Sequence, residues 1–308
     1  MADLATFIVR RLCRAVAVIF GVTVAVFIVT HLIGDPARLI LPLDASHSQY
    51  LALREKLGEN DSLLTQFWRF LSHAARGDFG QSLWQGTPAL PLALRHVGAT
   101  LALGGVAVGL GVLVGVPSGF IAALRAHSRI DKAVSGLSLL GVSVANFWLG
   151  LILILVFAVD LHWLPTSGYG ARNLILPALA AAAYPFGQIT QLSRAAMLEQ
   201  LAQPYFVAAR AKGLSRAEAL ALHAARNAMI PVITVAGYEF GRIVAGFVVV
   251  IETLFAWPGL GRLTFDALTR HDFPLIQACI FVMAVLVVAI NLVVDVLYRL
   301  IDPRVKLV

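Results

Sequence analysis

Apolar residues gather along this chain into six long blocks: Val9 to Leu32, Thr100 to Leu124, Ala133 to Val159, Leu174 to Leu192, Ala228 to Ile251 and Leu275 to Leu297. A helix needs about 20 such residues to cross the hydrocarbon core of a bilayer, so each block predicts one membrane-spanning helix. The fourth carries Pro177 and Pro185. Prolines inside a span are tolerated where neighbouring helices re-satisfy the freed carbonyls, which predicts a packed bundle position for this helix rather than a lipid-facing one.

The stretches between blocks differ in length and character. Residues 33–98 form a long connector in which Tyr50 to Leu57 and Leu63 to Ala75 have the apolar spacing of short helices. Two readings fit it, a small cap folded over the outer mouth or a loop that packs on the spans. Residues 204–227 hold a charged interruption whose punctuation predicts two short helices and a sharp turn. Pro204 suits a first helical position, because its missing N–H has no partner there. Gly213 suits the residue just past a helix end, where φ > 0 is needed. Ser215 and Glu218 have capping-box spacing, so a second helix is expected to begin near Arg216. Such a shape fits the groove of another protein; an ordinary solvated loop is the other reading.

Composition places these helices in a membrane. The 308 residues are 59% hydrophobic and 13% charged, against about 25% charged in soluble domains. The net charge of +7 does not point to nucleic acid, because the basic residues cluster beside apolar blocks, where they set orientation. Arg10, Arg11 and Arg14, then Arg125, Arg129 and Lys132, then Arg210, Lys212, Arg216 and Arg226, then Arg299, Arg304 and Lys306 fall on one side of a six-span arrangement. Both termini are therefore expected in the cytoplasm. No small-residue cleavage site closes the first block, so it reads as an uncleaved span. Cys13 and Cys279 fall on opposite sides of the bilayer in this topology, beyond the reach of a disulfide, and read as small apolar fillers.

Catalytic patterns are missing. There is no Gly-x-x-x-x-Gly-Lys-Ser/Thr phosphate loop and no His-Glu-x-x-His, and the eight histidines lack ligand spacing. Val116-Pro-Ser-Gly119 lacks the leading Gly of a rhomboid-type Gly-x-Ser-Gly. No catalytic residue, metal site or cofactor is expected on this chain.

Ala209-Arg210-Ala211-Lys212-Gly213-Leu214-Ser215, with His223 and Arg226-Asn-Ala-Met-Ile-Pro231, closely resembles the cytoplasmic loop of dipeptide and oligopeptide ABC-importer permeases, in whose coupling segment Val207 and Ala208 would also fall. Gly34-Asp-Pro36, Gly77-Asp-Phe-Gly80, Phe147-Trp-Leu-Gly150, Trp163-Leu-Pro-Thr-Ser-Gly168, Glu252-Thr-Leu-Phe255, Trp257-Pro-Gly-Leu-Gly261, Asn291-Leu-Val-Val-Asp295 and Asp302-Pro-Arg304 agree in order and spacing. The chain is similar to the first of the two permease subunits, the kind with a long outer loop. The resemblance implies an all-α, type I permease domain over residues 1–308 in the bacterial inner membrane. It implies an extracytoplasmic 33–98 loop and a cytoplasmic coupling loop at 204–227. It further implies a homologous second permease subunit, two ATPase subunits carrying ATP and Mg, and an extracytoplasmic substrate-binding protein. The cargo it implies is a di- or oligopeptide, with a nickel chelate or a glutathione-like solute as the alternative. A secondary transporter would need no coupling loop and often shows inverted repeats, of which none is evident.

The sequence departs from the family pattern in three places. The coupling loop of ABC importers commonly begins Glu-Ala-Ala, and Val207 stands where the Glu would be, leaving apolar fit plus Arg210 and Lys212 for docking. Ala145 replaces a common Pro, which predicts a straighter third span. Glu239 and Arg242 lie three residues apart in the fifth span, where the family is usually uncharged. They share a helix face, either lining the translocation path or neutralising one another. Asp160 and Glu252 are expected at wet outer span ends, and Asp295 beside Asn291.

Overall fold

A computed structural model describes residues 2–33, 46–57 and 61–301. The helices are α1 Ala2–Ile33, α2 His47–Leu57, α3 Leu63–Ala75, α4 Ala89–Leu124, α5 Arg129–Ser143, α6 Asn146–Leu153, α7 Ala171–Leu201, α8 Pro204–Ala211, α9 Arg216–Ala219, α10 Ala225–Arg242, α11 Val249–Leu254, α12 Leu260–Thr269 and α13 Phe273–Ile301. Wider π-helical turns over Ile154–Asp160, Leu220–Ala224 and Ile243–Phe247 extend α6, join α9 to α10 and extend α10. Among the described residues there is no β-strand, only an isolated bridge between Gln81 and Pro88. The Gly34-Asp-Pro36 and Asp302-Pro-Arg304 motifs and Lys306 lie outside the described residues.

Among the described residues three helices are long and apolar enough to cross a membrane: Ala89–Leu124, Arg216–Phe247 and Phe273–Val296. A fourth crossing arises if α5 and the α6 extension count as one bent span, and Cys13–Val29 is a shorter apolar helix. The fourth apolar block lies in α7, which stays helical through Pro177 and Pro185 and buries both prolines.

The third block corrects the expectation of a straighter span. α5 and the segment Asn146–Asp160 meet at 102°. Val144 (φ −80°, ψ 129°) and Ala145 (φ −64°, ψ 127°) are both extended, and the Ala145 carbonyl accepts the Trp148 and Leu149 N–H groups. Packing on either side holds the break without a proline. A Cβ on Gly141 would lie 2.6 Å from the Ala183 carbonyl oxygen, and one on Gly150 would lie 2.8 Å from Leu254.

The chain divides into two compact units, Met1–Thr100 with Pro258–Val288, and Leu101–Trp257 with Ala289–Val308. In the first, α2 and α3 occupy the two stretches expected to be helical. Ser62 caps α3 by accepting the Thr65 N–H, and Gly77 (φ +74°) ends it. The Asp78 N–H reaches the His73 carbonyl and the Gly77 N–H reaches that of Ala74, the paired bonds of a Schellman turn. The following residue, Phe79, is thereby delivered into a core with Leu92, Leu260, Leu263, Phe273, Leu275 and Ile276. Buried Asp272 accepts from Ser82 Oγ (2.5 Å) and from the Trp84 and Leu275 N–H groups, pinning the 78–88 loop. Cys13 and Cys279 are both free.

The second unit is assembled by close helix approach. Gly111, Gly115 and Gly119 recur every fourth residue along α4, and a Cβ on each would meet Pro185, Thr190 or the Thr190 carbonyl of α7 at 3.0, 3.1 and 2.5 Å. Apolar faces give little drive for association inside lipid, so small residues that let backbones touch supply the packing. Gly187 of α7 does the same against α5, where its Cβ would overlap the Ser138 carbonyl oxygen. Glu252 corrects the expectation of a wet span end. It is fully buried; after α11 the chain turns back, and the Trp257 N–H donates to the Glu252 carbonyl at 2.8 Å.

Candidate functional site

The charged interruption folds as its punctuation dictates. Pro204 opens α8 from an extended Gln203. Gly213 adopts φ +94°, the Gly213 N–H donates to the Arg210 carbonyl and the Leu214 N–H to that of Ala209. Those two bonds satisfy carbonyls that the helix end would otherwise orphan. Ser215 Oγ accepts the Glu218 N–H at 3.2 Å while Glu218 Oε2 accepts the Ser215 N–H at 2.8 Å, completing the capping box. Glu218 lies ahead of the apolar block that begins at Ala228. The Ser215 hydroxyl, and then its backbone N–H, hold the Glu218 carboxyl below its usual range.

The second helix is not short. It runs from Arg216 through the π-helical turn at His223 and continues as the fifth apolar helix to Phe247, so the turn is fused directly to a span. It kinks at Gly246 (φ +120°) and ends at Phe247, earlier than the Ile251 expected.

The exposed side of this turn carries Val207, Ala208, Arg210, Lys212 and Gly213, with Val207 64% exposed. Ala209 is buried beneath and Leu214 is half-buried. The inner side is anchored by Phe206 and Leu220 against Ala123, Ala196, Met197, Ala224 and Ala228. Arg210 Nη1 bonds the Leu214 carbonyl at 3.0 Å, closing the turn from outside. Beyond the expected residues, Tyr205 Oη donates to Gln200 Oε1 (2.7 Å) and accepts from Asn227 Nδ2 (3.2 Å), tying α8 to the end of α7 and the start of α10. Asn227 belongs to the resembling motif, but its partner is set by the fold.

A second tie went unread in the sequence. Arg194 of α7 grips Asp131, in the first turn of α5, through Nε (2.5 Å) and Nη2 (2.8 Å). The His127 N–H and Ser135 Oγ also donate to this carboxylate. The Arg194 guanidinium holds the Asp131 carboxyl well below the usual carboxylate range, against the opposing effect of burial. Both residues lie just beyond the ends of the apolar blocks.

Glu239 and Arg242 do meet. Arg242 Nη2 and Nε donate to Glu239 Oε2 at 2.7 and 2.9 Å. The guanidinium also lies 3.9 Å from the Tyr184 ring centre and 4.3 Å from that of Phe247, within cation–π range. Among the described residues no group of three His, Cys, Asp or Glu side chains is placed to hold a metal.

The chain matches the family "Binding-protein-dependent transport system inner membrane component" over residues 115–307 and that family's N-terminal region over residues 4–90. It is 37% identical to the oligopeptide transport system permease protein AppB of Bacillus subtilis over 98% of this chain and 100% of that protein. It is 38% identical to the glutathione transport system permease protein GsiC of Escherichia coli K12, over 97% of this chain and 98% of that one. Among solved structures, an inward-facing MetNI methionine ABC transporter chain aligns with a TM-score of 0.57 at 19% identity, covering 68% of this chain and 96% of its own, a likeness of fold. The chain belongs to the binding-protein-dependent ABC-importer permeases, the inner membrane components of these transport systems, together with the peptide and glutathione permeases it resembles along nearly its whole length.

Proposed function

We propose that this permease is the first of two homologous subunits, spans the bacterial inner membrane six times with both termini in the cytoplasm, and forms half of the path for a di- or oligopeptide. A glutathione-like solute or a nickel chelate is the alternative cargo. The peptide reading rests on the oligopeptide permease, identical at 37% of positions over its full length. The spans would be the six apolar blocks, carried within α1, α4, α5 with α6, α7, the helix Arg216–Phe247 and α13.

This chain binds no cofactor in this reading. ATP and Mg sit in two ATPase subunits, and an extracytoplasmic binding protein delivers the solute. The carrying observation is the turn at Gly213. Val207, Ala208, Ala209, Arg210, Lys212, Gly213 and Leu214 form a compact knob, braced from below by Phe206 and Tyr205 and continuous with the fifth span. A push on this knob by closing ATPases passes directly into a span, as rigid-body switching of access requires. Val207 in place of the family Glu makes the docking contact apolar, flanked by Lys212. Of the candidate path residues Glu239 and Arg242, Arg242 faces the path and Glu239 is buried beside it.

Copurification tests the assembly. A tagged chain is expected to bring down stoichiometric ATPase subunits, and a Val207→Cys variant to form a disulfide to one of them. Uptake that follows an ion gradient with no ATPase present would contradict this function.

A further inference from the structure

Resting on the peptide reading above, we propose that Arg242 is a specificity-determining contact in the path, its Nη1 edge donating to the terminal carboxylate of the carried peptide. One edge of the guanidinium is uncommitted among the described residues. Nε and Nη2 are committed to Glu239 Oε2, and the rings of Tyr184 and Phe247 lie over the planar group. Nη1 makes no hydrogen bond among the described residues. The exposures agree: 14% of the Arg242 side chain is open against 3% for Glu239.

The charge of Arg242 argues against lipid as the facing medium. Tyr238 and Ala245 are exposed, and Arg242 lies between them on the same helical face, four residues after one and three before the other. A guanidinium on the open face of a span is costly against hydrocarbon, so this face meets water or protein. The backbone is shaped for the contact as well. The π-helical turn Ile243–Phe247 is kinked at Gly246 (φ +120°), and beyond the kink Phe247, five residues on, lies over the guanidinium. Such turns concentrate at functional sites.

Glu239 is a positioning residue here. It fixes the fork of Arg242 and cancels its charge, so that an arriving carboxylate meets an oriented donor without an unopposed cation. A transit site must hold weakly enough to release.

The test uses the full complex in proteoliposomes at saturating binding protein, with radiolabelled trialanine and its C-terminal amide as cargoes. The binding protein is identical throughout, so its own preference cancels when variant is compared with wild type. Arg242→Gln is expected to lower the initial uptake rate of the free acid about tenfold relative to the amide, the worth of one hydrogen bond between charged groups. If that variant assembles poorly, Arg242→Lys, which keeps a cation but loses the fork, is expected to lower the same acid-to-amide ratio. Equal losses for both cargoes, or none, in a complex whose wild type imports trialanine would overturn the carboxylate contact alone. A wild-type complex that imports neither cargo would overturn the peptide reading and this contact with it.

Discussion

Arg194 and Asp131 are 63 residues apart in sequence, yet their side chains meet through two hydrogen bonds of 2.5 and 2.8 Å. The pair fastens the start of α5 to α7 ten residues before α8 begins. It therefore joins the third and fourth apolar blocks close to the turn at Gly213 in sequence.

Replacing Asp131 by Asn is expected to destabilise the purified complex. The loss falls below the ~3–5 kcal/mol of a fully buried pair, because Arg194 stays 30% exposed. The pH dependence follows from the lowered carboxyl. A depressed folded pKa gives stability that is fully present above the unfolded value near 3.9 and is lost as pH falls toward the folded one. The difference in Tm between wild type and Asp131→Asn should therefore be constant from about pH 8 to about pH 5 and shrink only in stronger acid. A difference that vanishes at mildly acidic pH would contradict the pairing.

The α4–α7 seam makes a sharper stability prediction. Gly119→Ala would force a methyl to within 2.5 Å of the Thr190 carbonyl oxygen, whereas a Cβ on Gly105 meets nothing within 4 Å. Overpacking of this kind costs about 1–3 kcal/mol. Thermal unfolding in detergent should show a lower Tm for Gly119→Ala and little change for Gly105→Ala; equal Tm values for the two would refute the close approach.

Glu239 and Arg242 should behave as an energetically coupled pair. Glu239→Gln and Arg242→Gln each strand a charge that is mostly buried, whereas the double variant strands none. A double-mutant cycle on Tm is expected to give a loss for the double variant smaller than the sum of the singles. Additive losses would mean that the two side chains do not interact in the membrane.

Topology is open to labelling. Cysteines introduced at Gln49 and Ser72, both exposed, should react with a membrane-impermeant maleimide added outside intact cells, while those at Arg129 and Lys306 should react only after permeabilisation. Outside labelling at Lys306 would place the C-terminus on the wrong face for six spans.

How much of this was legible in the sequence depends on range. The turn at 204–218 was legible because Pro204, Gly213, Ser215 and Glu218 each constrain backbone within four residues of themselves. α2 and α3 were legible from apolar spacing, which is also a local signal. The 102° bend at Val144–Ala145 was not, since neither residue breaks a helix by itself and the bend is held by Gly141 and Gly150 packing on distant chain. The Asp131–Arg194 and Tyr205–Asn227 ties depend on which helices become neighbours. The Gly111, Gly115, Gly119 spacing is the exception: a small-residue repeat every fourth position signals a close helix seam and was readable without the structure.

The central claim is that force from the ATPases enters through the turn at Gly213. Gly213 has φ +94°, and a Cβ added there would meet nothing within 4 Å, so a Val is opposed by backbone strain of about 1–3 kcal/mol rather than by a clash. The direct measurement is ATP hydrolysis by the reconstituted complex, with and without solute-loaded binding protein, for wild type and Gly213→Val at matched insertion. Stimulation by the loaded binding protein is expected in wild type and should be lost, together with uptake, in Gly213→Val. Full stimulation and uptake in the variant would contradict the assignment of this turn as the coupling element.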